Sequence, residues 1–313
     1  MPVQGSFFKY ITLMHSQNTP AQIKSRSPLA VVREWTEMIK LEHTVFALPF
    51  ALSGLILAST QLPSAATVFF TILAFVGARS AAMTLNRVID AGIDSKNPRT
   101  KDRAIAAGRI KPAVALFFAV LSFGLMLFAA SKLPLICLQL SPIAVVWLSF
   151  YSFTKRFTWL CHIVLGIALG GAALGGWAAA AGNVSGLAPW LLALAVSTWV
   201  AGFDIIYACQ DYNIDTNQKI KSIPARFGIG RALLIARFLH VLTVANLMWL
   251  GACLHLGIFY GIGFAAVAVM LVYEHSLVKP DDLSKVNAAF FNVNGFVSIA
   301  CFVAILLDKT IKF

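Results

Sequence analysis

The chain has 313 residues, 59% of them hydrophobic and 12% charged, with a mean hydropathy of +0.79. Soluble globular chains run nearer ~45–50% apolar and about 25% charged. The composition therefore excludes a soluble enzyme or binding module and implies a polytopic protein of the lipid bilayer. A net charge of +12 would suggest nucleic acid as the partner of a soluble protein. Here the lysines and arginines lie between apolar runs, and no nucleic-acid partner is expected.

Residues 1–28 mix Phe7, Phe8, Ile11 and Leu13 with a polar run, and no apolar stretch there ends in a small-residue cleavage site. They read as a cytoplasmic tail before a transmembrane domain spanning residues 29–313. An amphipathic lead-in from Val31 enters the first of nine expected spans, at 44–60. The others fall at about 65–85, 113–131, 134–153, 160–181, 188–208, 231–252, 256–278 and 287–307, each near the ~20 residues that cross ~30 Å of hydrocarbon. The expected fold is all-α, a bundle of about nine transmembrane helices. Short connections at 61–64, 131–134, 182–188 and 251–255 alternate with longer ones at 86–112, 154–159, 209–230 and 279–286. Together with the tail and lead-in, the longer set and its flanks hold most of the Lys and Arg, so the positive-inside rule places the N-terminus and those loops in the cytoplasm and the C-terminus outside.

The fifth span carries Gly166-x-x-x-Gly170 and Gly171-x-x-x-Gly175, a spacing that lets helices approach closely. The five cysteines stand singly in apolar segments and read as small hydrophobes.

The chemistry concentrates in two stretches. Asn86, Asp90 and Asp94 are four residues apart and share one helix face with Arg79, seven residues earlier. Asp204, Asp211, Asp215 and Lys219 repeat the 7, 4, 4 spacing, offset by 125 residues throughout. Both stretches continue apolar spans, so two carboxylate-bearing faces can oppose each other across one cavity. Hard oxygen donors at this spacing suit Mg²⁺, which keeps several waters and is held through one or two carboxylates plus substrate phosphates. Two such clusters can grip a diphosphate. The competing reading is a solvated charged loop, which the matched register disfavours.

Lys96, Arg99, Lys101, Arg103, Lys219 and Lys221 surround these acids, although positive-inside topology alone would put cations there. Tyr151 and Lys155 lie one helical turn apart, with Arg156 next, so both can address one oxyanion. Arg79 and Asp204 lie about 10 Å deeper than Asn86 and Asp211 at 1.5 Å per residue. They form either a salt bridge or the flanks of a pocket for a polar acceptor. His43 can line the cavity, His162 follows the Lys155–Arg156 loop, and no zinc-type histidine spacing occurs.

Taken together, Asn86-Arg-Val-Ile-Asp90-Ala-Gly-Ile-Asp94, Asp211-x-x-x-Asp215 and Tyr151-x-x-x-Lys155 resemble three motifs of the UbiA superfamily of intramembrane prenyltransferases. The resemblance covers about residues 35–305. It implies nine transmembrane helices around a central cavity, a Mg²⁺-bound polyprenyl diphosphate and an aromatic acceptor. Residue by residue, it implies Asn86, Asp90, Asp94, Asp211 and Asp215 as metal ligands. It also implies Lys155, with Tyr151, as contacts of the diphosphate; by position beside the acids, Arg156, Arg103 and Lys219 are further candidates for it, and Arg79 and Asp204 are candidates for the acceptor. Arg87 stands where many members have Asp. The surrounding sequence is most similar to the 4-hydroxybenzoate polyprenyltransferase group, leaning to a branch that serves menaquinone. A dihydroxynaphthoate or another ring remains an alternative acceptor, an ion-coupled transporter the alternative class, and oligomeric state is open.

Overall fold

The computed structural model describes residues 27–40 and 47–311. The expected tail up to residue 26, His43 and the first residues of the expected span from 44 lie outside that range. Among the described residues eight helices are long and apolar enough to cross a membrane. A further apolar helix, Leu48–Ala58, is shorter, with 11 residues.

In chain order, α1 (Pro28–Met38) is the lead-in and α2 (Leu48–Ala58) the short apolar helix. Then follow α3 (Ala65–Asp94), α4 (Pro112–Ala130) and α5 (Leu135–Phe150), which passes into a 3-10 helix at Tyr151–Arg156. α6 (Cys161–Ala181) and α7 (Ala188–Ala208) come next, and a 3-10 turn at Cys209–Asp211 leads to the short α8 (Tyr212–Asn217) and α9 (Ile223–Phe227). α10 (Ile229–Cys253), α11 (Ile258–Ser276) and α12 (Asn294–Thr310) close the bundle.

Helix ends follow local chemistry. Ser64 caps α3 by accepting from Thr67 N at 3.1 Å. Gly182 ends α6 in left-handed backbone at φ 67°. α3 is 30 residues long, about 45 Å at 1.5 Å per residue, so it outruns ~30 Å of hydrocarbon and carries its acids past the apolar layer.

α6 is the hub. It packs against α7 and α2, α7 packs against α10, and α12 packs against α11 and α2. A Cβ on Gly166 or Gly170 would overlap backbone of α7, and one on Gly176 would overlap the Ala51 carbonyl of α2. Gly171 and Gly175 face open space, so only the first of the two expected glycine motifs is a helix contact. The main core gathers on Trp199, Leu191, Leu192 and Val196 of α7 with Leu250 and Ile305. A separate cluster of Met38, Ile39, Val88, Ile105 and Ile110 docks α1 beside the loop after α3.

Candidate active site

The C-terminal end of α3, the 3-10 helix after α5 and the segment after α7 converge. Asp90, one of the most buried acids, receives Lys155 Nζ on Oδ2 at 2.7 Å and Arg156 Nη1 on Oδ1 at 3.2 Å. Asn86 Nδ2 donates to the same Oδ2 at 2.8 Å. Arg156 also donates to the carbonyls of Ile89 and Ser152, at 2.6 and 3.0 Å. In a 3-10 helix residues three apart eclipse. Lys155 therefore stacks with Ser152, which accepts from Asn86 Nδ2 at 3.5 Å. Tyr151 and Lys155 both stay within reach of Asp90, although the winding between them is 3-10 and not α.

One turn on, Asp94 binds Arg103 Nη1 through both oxygens, at 2.8 and 2.9 Å. The loop then crosses to the second stretch. Asn97 Nδ2 and Arg99 Nε donate to Asp211 Oδ1 at 3.2 and 3.1 Å, and Arg99 Nη2 donates to Asp211 Oδ2. Arg99 Nη1 also reaches the Tyr207 hydroxyl at 3.1 Å. Burial alone would lower the Arg99 pKa, but the hydrogen bond and charge of Asp211 outweigh it and hold the guanidinium above its usual value. Asp215 accepts from Ser222 Oγ at 2.8 Å, and Lys221 N is tied to the Lys155 carbonyl at 2.8 Å.

Deeper in, Asp204 does not form the simple Arg79 bridge that was one alternative; its Oδ2 lies 2.6 Å from His162 Nδ1. Arg79 Nη1 donates to the Ile39 carbonyl at 3.0 Å, joining α3 to the end of α1. Arg87 Nη1 donates to Asn86 Oδ1 at 3.0 Å, so the residue that departs from the family pattern orients the neighbouring amide. Lys219 is not gathered in: it stands exposed beyond α8 at φ 56°.

Asn97, Ser222 and His162 are the members that residue patterns left out. The Ser-Ile-Pro helix start at Ser222, which accepts from Ala225 N at 3.3 Å, was a readable signal. From Tyr207 an aromatic ladder descends into the bundle, with ring centroids 4.2 Å apart for Tyr207–Phe290, 5.3 Å for Phe203–Phe290 and 4.8 Å for Trp199–Phe203. Two open surface grooves, of about 380 and 500 Å³, lie away from these acids, beside Gly251 and Tyr260 and beside Ser59 and Ala181.

Among the described residues no three His, Cys, Asp or Glu side chains sit close enough to hold a metal by themselves. The donor set is nonetheless hard carboxylate and amide oxygen, as Mg²⁺ requires. It fits that ion jointly with an anionic ligand, because the cations now on Asp90, Asp94 and Asp211 must be drawn off first.

Residues 47–297 match the UbiA prenyltransferase family. A 4-hydroxybenzoate octaprenyltransferase of Hahella chejuensis is 32% identical over 94% of this chain and 98% of its own length. One of Marinobacter nauticus is 33% identical over 80% and 85%. A UbiA homologue from Aeropyrum pernix K1, solved in its apo form, superposes with a TM-score of 0.78 at 32% identity, covering 86% of this chain and 98% of that one. A homologue from Archaeoglobus fulgidus, solved with GPP and Mg²⁺, shares the fold at a TM-score of 0.64 and 18% identity, over 87% and 99%. The converging acid stretches and these matches lead to one conclusion: the chain is an integral membrane protein and belongs to the UbiA prenyltransferase family.

Proposed function

We propose that the protein transfers a polyprenyl group from its diphosphate to the ring of a 4-hydroxybenzoate-type acid, in respiratory quinone biosynthesis. The observation that carries this reading is the interlock of acids and cations at one end of the bundle. Asp90, Asp94 and Asp211 each hold a Lys or Arg that a diphosphate can attract. The names of the relatives at 32–33% identity supply the acceptor class.

Bound Mg²⁺ would neutralise the diphosphate, and Asn86, Asp90, Asp94, Asp211 and Asp215 are the residues that would hold it. Lys155, Arg156, Arg103 and Arg99 exchange their carboxylates for diphosphate oxygens and take up negative charge as the C–O bond breaks. Tyr151 borders the same space. The aromatic ladder keeps water from the allylic cation, and its ring faces stabilise positive charge. Arg79 and Asp204 flank the place for the polar acceptor. The domain covers residues 29–313 after a tail at 1–28. The acid-bearing end faces the cytoplasm and the C-terminus lies outside, since the tail, the lead-in and the loops on that side together carry most of the Lys and Arg.

The test uses membranes containing the protein, a labelled polyprenyl diphosphate and Mg²⁺, with 4-hydroxybenzoate and a dihydroxynaphthoic acid offered separately. The expected result is EDTA-sensitive prenylation of 4-hydroxybenzoate, restored by Mg²⁺. Prenylation of the naphthoic acid alone would change the acceptor. Prenylation of neither, where a known prenyltransferase works, would overturn the reading.

A further inference from the structure

The cations at this end of the bundle are not equally engaged. Lys155 and Arg156 share Asp90, Arg103 holds Asp94 and Arg99 holds Asp211. Arg87 stands among them and makes no ion pair with any described residue. Its Nη1 donates at 3.0 Å to Asn86 Oδ1, a neutral amide oxygen. The rest of its guanidinium donors have no partner among the described residues. These donors are not sealed in the packing. Arg87 is partly exposed, and every described side-chain atom that is buried without a partner belongs to another residue. The guanidinium also lies in the site itself, within electrostatic reach of Asp94, Tyr151 and Asp90, and of Arg103, which repels it.

A cation drawn out of water normally keeps a carboxylate. The acids nearest Arg87 are held by other cations, so its charge is left for an anion from outside. A diphosphate presents paired oxygens that match the guanidinium fork. Pulling Lys155, Arg103 or Arg99 onto it breaks charge-assisted bonds, which are about twice as strong as neutral ones. Arg87 gives up only an amide.

We propose that Arg87 is the landing point of the prenyl diphosphate, gripping it before any metal is bound. This deepens the prenyl-transfer reading above and rests on it. As Arg87 turns to the diphosphate it leaves Asn86 Oδ1, and that oxygen becomes free for Mg²⁺. Lys155, Arg156, Arg103 and Arg99 leave their carboxylates in the step that follows, and only that step needs the metal.

The experiment measures binding of labelled inorganic pyrophosphate to the full-length protein, once in EDTA and once in Mg²⁺. In EDTA the wild type binds, and Arg87→Gln binds about 30-fold more weakly, as for loss of a charge-assisted contact. Asn86→Ala removes only the guanidinium's neutral tether and stays within about threefold of wild type in EDTA. In Mg²⁺ the order reverses, because Asn86→Ala also removes an oxygen meant for the metal and a donor to Asp90. Arg87→Lys keeps the charge and brings metal-free binding back to within about tenfold of wild type, a recovery that lost packing could not give.

Equal losses in EDTA from Arg87→Gln and Asn86→Ala, or a lysine no better than the glutamine, overturn the proposal. Arg87 would then act only through Asn86 or through packing. A wild type that binds pyrophosphate in Mg²⁺ but not in EDTA overturns this inference alone. One that binds in neither overturns the prenyl-transfer reading, and this inference with it.

Discussion

The acids that end α3 are sealed, and those that follow α7 are open. Asp90 and Asp94 have side chains 1% and 6% exposed, against 15% for Asp211. The backbone explains this. α3 runs unbroken to Asp94, so its acids stay on one face against the 3-10 helix and the following loop. α7 stops at Ala208, and its continuation winds through a 3-10 turn before α8, which swings Asp211 and Asp215 outward. The first stretch is thus part of the fold as well as of the chemistry, and the second is nearer to chemistry alone.

That contrast breaks most clearly at Asp90. Asp90→Ala leaves Lys155 and Arg156 without the carboxylate that holds both. Turnover should disappear, and stability in detergent should fall by about 3 kcal/mol, as when one partner of a buried pair is removed. Asp211→Ala should also abolish prenylation, but its partner Arg99 is 35% exposed and can turn to solvent. Its stability should change by less than about 1 kcal/mol. Prenylation assays with thermal unfolding of both variants check this, and equal destabilisation would erase the distinction between the stretches.

Residue patterns reached the helical bundle and the convergence of the two stretches, because apolar run length and i, i+4 spacing are local properties. They did not reach the partners. Which cation meets which acid depends on the crossing of the loop after Asp94, which carries Asn97 and Arg99 to Asp211, and no spacing encodes that crossing. The 3-10 winding at Tyr151–Arg156 was likewise not encoded in the i, i+4 spacing of Tyr151 and Lys155. His162 was visible as a residue and unreadable as a partner, since Asp204 lies 42 positions away.

The smallest expected effect sharpens the comparison furthest. In the repeated register Lys219 corresponds to Asp94, and spacing alone made it a ligand of the diphosphate. Asp94 is buried on a continuous helix and clamped by Arg103. Lys219 is exposed past the end of α8 and sits at φ 56°, in left-handed backbone that favours glycine over lysine. Lys219→Gly should therefore leave prenylation within about twofold of wild type and raise stability by up to about 1 kcal/mol through relief of that strain. A tenfold rise in KM for the prenyl diphosphate would instead mean that the second stretch closes on its ligand and brings Lys219 in. The likeness in register would then describe the site with the prenyl diphosphate bound.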